Sequence, residues 1–189
     1  MHIVGVLLAA GSGSRFGGDK LLAPLPEEDE AIGVAACRHL LAALPDSVAV
    51  VRAGDRALAA MLGELGARVV ECADANRGMG RSLACGVAAA READGFVVAL
   101  ADMPWVRAST IDAVAQALRD GAPVAVAVVG ERRGHPVGFA ASYAAALLAL
   151  DGDRGARDLV ASAGTALCEV EVDDDGAVRD VDVPDDLAR

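Results

Sequence analysis

Aromatic side chains are scarce in this 189-residue chain, at 3% of residues, with one Trp, one Tyr and three Phe. A core of this size must therefore be built from Ala, Val and Leu, which suits thin, Ala-rich helices layered on a sheet. Positive charge is also short: 17 Lys and Arg face 28 Asp and Glu, for a net charge of −11. That balance excludes a general nucleic-acid surface, because a phosphate backbone needs a basic face. It leaves room for a small anionic ligand held by a few focused cations. No apolar run approaches the roughly 20 residues of a membrane span. The first apolar run has no basic segment before it, so no signal peptide is expected. The expectation is a cytoplasmic protein without membrane contact. The four cysteines, Cys37, Cys72, Cys85 and Cys168, show no C-x-x-C spacing and no histidine neighbours. They read as buried free thiols. No repeat and no linker interrupts the chain, which predicts one domain over residues 1–189.

Lysine is nearly absent too. Lys20 is the only one, and every other basic residue is arginine. An ammonium is a compact, strongly hydrated point charge and not a stand-in for a guanidinium, so its retention at one place is informative. Lys20 closes a small-residue stretch, Gly11-Ser12-Gly13-Ser14-Arg15-Phe16-Gly17-Gly18-Asp19-Lys20, that follows an apolar run over residues 3–9. The run reads as a strand covered on both faces.

Further strands are expected at 48–51, 68–71, 96–101, 124–129 and 137–139, and helices at 31–43, 56–65, 81–92, 109–119, 143–150 and 157–161. Ser109 is expected to cap its helix with Asp112 in the first turn, and Ser82 to cap the one before it. Residues 130–134 read as a polar turn. Segments 167–172 and 177–181, around Asp175-Gly176, read as a hairpin. The alternation predicts an α/β fold: a Rossmann-like three-layer sandwich with a mostly parallel sheet and a C-terminal β-hairpin. In such sheets ligands sit at the carboxyl ends of the strands.

Two chemical stretches fall at those ends. The glycine loop is neither a Walker A, since Asp19 and Lys20 break the spacing, nor a dinucleotide fingerprint, since Phe16 stands at the third glycine. It remains a turn whose amides can face an anion, flanked by Arg15 and Lys20. The second is Asp102, in Ala101-Asp102-Met103-Pro104. A carboxylate that follows a wholly apolar strand needs a cation, and Mg²⁺ takes one or two carboxylates plus phosphate oxygens. Asn76, the single asparagine, lies in a turn before a helix N-terminus, a natural anion site. His135, between Gly134 and Pro136, has no evident core role in a turn.

The stretch L-A-A-G-S-G-S-R-F-G-G-D-K-L-L resembles the signature of the MobA-like nucleotidyltransferase family, and the likeness extends from about Ile3 to Leu187. By this resemblance Leu8, Ala9, Ala10, Gly11, Ser12 and Gly13 face the nucleotide, and Arg15 and Lys20 hold its phosphates and act in catalysis. Asp102, in the family's L-x-D-M-P segment, is implied to be the metal ligand, with Asp182 of the closing D-V-D-V-P-D-D-L segment a second one. The stretch from Asn76 to Ser82 resembles the family's G-M-x-x-S-L segment, which faces base and ribose and so implies Asn76, Gly80 and Ser82 as nucleotide contacts. R-G-H-P-V-G-F and G-D-R-G-A-R resemble the branch that cytidylylates the molybdenum cofactor, which implies that His135, Pro136 and Arg157 meet the acceptor.

The resemblance implies a Mg²⁺-dependent transfer of CMP from CTP to the phosphate of a molybdopterin-type acceptor, with pyrophosphate released and a transient contact with a molybdoenzyme. Ala10 leans towards CTP, because the guanylyl branch typically has a second glycine there. Two alternatives stay open: another transferase of the family, using GTP or a sugar-phosphate acceptor, and a non-catalytic cofactor carrier.

Overall fold

The protein is described by a computed structural model that covers residues 1–11, 13, 16–26 and 30–188. Among these residues seven strands form one sheet: β1 (Ile3–Ala9), β2 (Ser47–Arg52), β3 (Arg68–Cys72), β4 (Gly95–Leu100), β5 (Val124–Val129), β6 (Arg132–Ala140) and β7 (Leu167–Glu171). Their order is β3-β2-β1-β4-β6-β5-β7. β1 pairs in parallel with both β2 and β4, and β5 with β7, while β6 runs antiparallel to its two neighbours. Six strands therefore end on one edge, and β6 begins there.

The helices are α1 (Ile32–Ala43), α2 (Arg56–Glu64), α3 (Met79–Ala89), α4 (Ala108–Arg119), α5 (Ala144–Leu148) and α6 (Arg157–Ser162). Alternating strand residues feed two cores. Leu7, Ala49, Val97, Ala99 and Ala125 meet α1, α2 and α4 on one face. Val6, Val48, Val50, Phe96 and Val126 meet α3 and the α5–α6 region on the other. With so few large side chains, the layers come very close. A Cβ at Gly86 of α3 would lie 2.5 Å from Cγ1 of Val6. No helix among the described residues is long and apolar enough to cross a membrane.

The sheet is the Rossmann-like, mostly parallel one expected, with five differences. First, no C-terminal hairpin forms. β7 pairs only with β5, and residues Asp175–Val178 make a short 3-10 turn. Second, that segment caps α4 in place of Ser109. The buried carboxylate of Asp174 accepts from the Arg107 amide at 2.9 Å and from the Thr110 hydroxyl at 2.5 Å. Helix α4 begins at Ala108, and Asp112 lies beyond its first turn, against Arg119.

Third, β6 starts at Arg132, so that the polar turn shrinks to two residues. Its pairing with β5 jumps from Val126↔Val137 to Val128↔Arg133. Gly134, His135 and Pro136 are thereby bulged out of the ladder, which a proline without an N–H requires. Fourth, Cys72 at the end of β3 and Cys85 on α3 form a disulfide; Cys37 and Cys168 are the free thiols. Ser82, finally, sits in α3 after its first turn and donates back to the Gly78 carbonyl instead of capping.

Candidate active site

Because β1, β2 and β4 are adjacent and parallel, their last residues share one edge, and a cleft of about 610 Å³ opens there. Leu8 and Ala10 of the first strand–loop junction, Leu100 and Asp102 of the fourth, and Arg52 of the second line it. Gly11 and Gly13 form one lip. Gly13 has φ +56°, and a Cβ there would approach the Gly18 carbonyl to 2.9 Å, so the loop's turn needs glycine.

Lys20 opens a short 3-10 turn, Lys20–Leu22, which points its ammonium back to the strand ends. Its Nζ donates to Asp102 Oδ2 at 2.8 Å and lies 3.8 Å from Asp182 Oδ1. Its side chain is only 11% exposed, so this charge has exchanged water for the two carboxylates. Asp182 arrives there through the main chain: the Val181 amide donates to the Asp102 carbonyl at 2.9 Å.

Two carboxylates that flank one cation fit a divalent metal. Their hard oxygen donors are of the type that Mg²⁺ or Mn²⁺ takes, with phosphate oxygens and water completing the shell. Among the described residues no cluster of three or more His, Cys, Asp or Glu side chains could hold a metal by itself.

The opposite wall is the turn before α3. Asn76, Gly78, Met79 and Ser82 line the cleft. Gly80 does not: its amide donates to the Gly152 carbonyl at 2.8 Å, on the far side of the turn. Ala9 points into the core instead. Ser12 and Arg15 lie outside the described residues.

None of the acceptor residues expected from sequence lines the cleft. His135 and Pro136 sit in the bulge of β6. The buried Nδ1 of the His135 ring has no partner among the described residues. Burial holds the imidazole below its ordinary value of 6.5, against the opposing pull of the Val98 main chain and of Asp102 and Asp180. Arg157, exposed, begins α6.

Two charged lining residues were assigned no role of their own from sequence: Arg52, and Asp153 of the G-D-R-G-A-R segment that the resemblance sets on the acceptor side. Arg52 ends β2 and donates to the Gly11 carbonyl at 2.7 Å, tying the glycine loop to the neighbouring strand. Its signal was a lone cation at the end of an apolar strand. Asp153 lines the same cleft from the turn before α6.

The sheet order, the glycine loop and the strand-end carboxylate together define a Rossmann-like α/β protein with its ligand edge at the β1–β4 junction. Residues 5–167 match the MobA-like NTP transferase domain, and the chain belongs to that family. It is 31% identical over 201 residues to the purine catabolism protein PucB of Bacillus subtilis (strain 168), covering 98% of this chain and 94% of that one. It is 30% identical to nicotine blue oxidoreductase of Paenarthrobacter nicotinovorans, over 99% of this chain and 95% of that one. Among solved structures, Rv0371c of Mycobacterium tuberculosis H37Rv superposes with a TM-score of 0.86 at 30% identity, covering 100% of this chain and 96% of the other. The complex of Rv0371c with manganese gives 0.80 at 28% identity, over 100% and 97%.

Proposed function

We propose that the protein is a Mg²⁺-dependent cytidylyltransferase that joins CMP from CTP to the phosphate of a molybdopterin-type acceptor. The observation that carries this reading is Lys20 set between Asp102 and Asp182 at the mouth of a glycine loop. A nucleoside triphosphate needs cations at its phosphates, and a metal needs carboxylates beside them. This edge of the sheet supplies both. The manganese complex of Rv0371c supports use of a divalent ion.

In the proposed reaction an oxygen of the acceptor phosphate attacks the α-phosphorus of CTP, forming a P–O–P bond. The bond from the α-phosphorus to its bridging oxygen breaks, and the electron pair leaves with pyrophosphate. No protein nucleophile is required. Lys20 and Arg15 neutralise charge on the α-phosphate and the leaving group, and Arg52 holds the loop that carries the phosphates. Asp102, with Asp182, would hold the metal, which when bound supplies charge neutralisation across the triphosphate. The remaining contribution is positioning of two anions in line. His135, Pro136 and Arg157 serve the acceptor side, and Asn76, Ser82, Leu8, Ala10, Gly11 and Gly13 serve the nucleotide.

The test is pyrophosphate release from CTP, GTP, ATP and UTP, each with Mg²⁺ or Mn²⁺ and purified molybdopterin. Release that is fastest with CTP and needs the acceptor is the expected result. A preference for GTP would move the protein to another branch of the family. Tight acceptor binding with no pyrophosphate from any triphosphate would make it a carrier.

A further inference from the structure

The turn that holds Asp153 is seated on the nucleotide wall of the cleft. The Gly80 amide bonds the Gly152 carbonyl at 2.8 Å, and Arg77 pairs with Asp151. Gly78 has φ +114°, and a Cβ there would lie 2.4 Å from the Gly152 carbonyl carbon and 2.5 Å from Asp153 Oδ1. The missing side chain of Gly78 is the space into which the Asp153 carboxylate leans. Asp153 faces the cleft with Asn76 and Ser82 and has no hydrogen-bond or ion-pair partner among the described residues.

An unpaired carboxylate is unusual company for a cleft that receives two anions. It accepts hydrogen bonds and donates none, and it repels phosphate. Lys20 and Arg52 lie on the strand-end side of the same cleft, where Asp102 and Asp182 flank Lys20. Both cations of the lining are therefore on that side, and Asp153 on the wall of the α3 turn is the lining carboxylate without one among the described residues.

We propose that Asp153 is a specificity-determining residue that accepts a hydrogen bond from a neutral donor of the bound nucleotide, a sugar hydroxyl or the base amine. Its charge also bars phosphate from that end, so the nucleotide binds in one orientation. A carboxylate left facing a ligand without that donor loses a charge-assisted bond and keeps its desolvation cost, which is how such sites discriminate. This inference rests on the reading of the cleft as a triphosphate site.

The experiment measures equilibrium binding of CTP, 2′-deoxy-CTP, 3′-deoxy-CTP and UTP, with Mg²⁺ and no acceptor, to the wild type, Asp153→Asn and Asp153→Ala. The wild type should bind CTP about ten- to a hundredfold more tightly than the analogue that lacks the donor. Asp153→Ala should bind that pair equally, with unfolding temperature unchanged. Coupling to a deoxy analogue identifies the sugar hydroxyl as the donor, and coupling to UTP identifies the base amine. Losses that simply add for every analogue would overturn the role of Asp153 while leaving the triphosphate site standing. Failure of the wild type to bind any triphosphate would overturn both.

Discussion

The main-chain amide of Val181 donates to the carbonyl of Asp102 at 2.9 Å, and this one bond brings the C-terminal segment to the end of β4. The two carboxylates beside Lys20 thus come from the middle of the chain and from a segment beyond the matched family domain, and a main-chain bond sets them side by side. Substitution should separate their roles. Asp102→Ala, at the strand end and 2.8 Å from Lys20, should lower turnover by about 10²–10³. Asp182→Asn, the more distant and more exposed partner, should lower it by roughly tenfold and raise the Mg²⁺ concentration needed. Pyrophosphate release against metal concentration checks both. Near wild-type turnover in Asp102→Ala would remove the metal-site reading.

Asp174 is the staple between the C-terminal segment and α4. It is 3% exposed and accepts from the Arg107 amide, the Thr110 hydroxyl and the Gly176 amide. Asp174→Ala strands a buried hydroxyl and two amides, with an expected loss of about 3 kcal/mol. For a chain of this length that is roughly 6–12 °C in Tm. Asp174→Asn, which keeps one acceptor oxygen, should lose less. Thermal unfolding by circular dichroism reads the difference, and equal Tm values for wild type and Asp174→Ala would exclude the staple.

That staple also shows where sequence reading stopped. The buried strands were legible because uninterrupted runs such as Phe96-Val97-Val98-Ala99-Leu100 can hardly be anything else between two helical layers. Lys20 and Asp102 were legible because each breaks a local pattern, one as the lone lysine and one as a charge after an apolar run. Asp174 offered no such break: its partners belong to α4, and only the fold makes it a cap. The Asp175-Gly176 turn signal was real, but the chain after it needed no second strand once Val181 could bond Asp102. Segment 130–134 looked like a turn because Arg132, Arg133 and Gly134 hide the start of a strand whose bulge sits at the ligand edge. Arg52 and Asp153 became visible only when β2 and the turn before α6 were placed around one cleft.

The Cys72–Cys85 pair was hidden for the same reason, since the two residues meet only when α3 lies on the end of β3. Its sequence separation of 13 closes a loop that contains Ala75, Asn76, Gly78 and Ser82 of the cleft wall. Closing a loop of that length contributes about 3 kcal/mol through the unfolded state. Dithiothreitol, or Cys85→Ser, should therefore lower Tm and expose the 73–84 segment to limited proteolysis. Cys37 should stay unreactive towards thiol reagents until unfolding, because burial pushes its thiol up to about 11. Identical proteolysis of the oxidised and reduced protein would show that the clasp is dispensable.

His135 gives the protein an acid limb. Burial holds its imidazole below the ordinary 6.5, although the Val98 main chain and the carboxylates of Asp102 and Asp180 favour the cation. Below about pH 6.5 the unfolded chain takes up a proton at this ring that the folded protein resists, so the unfolded state binds more protons. Stability must then fall as pH drops from 6.5 towards the depressed native value, and the contribution is flat above it. His135→Asn removes the titrating group, so its unfolding free energy should change less between pH 7.5 and pH 5.5 than that of the wild type. Urea unfolding at the two pH values, without added metal, isolates the contribution of the ring by difference. Parallel pH profiles for the two would mean that the ring is protonated as readily in the folded bulge as in water.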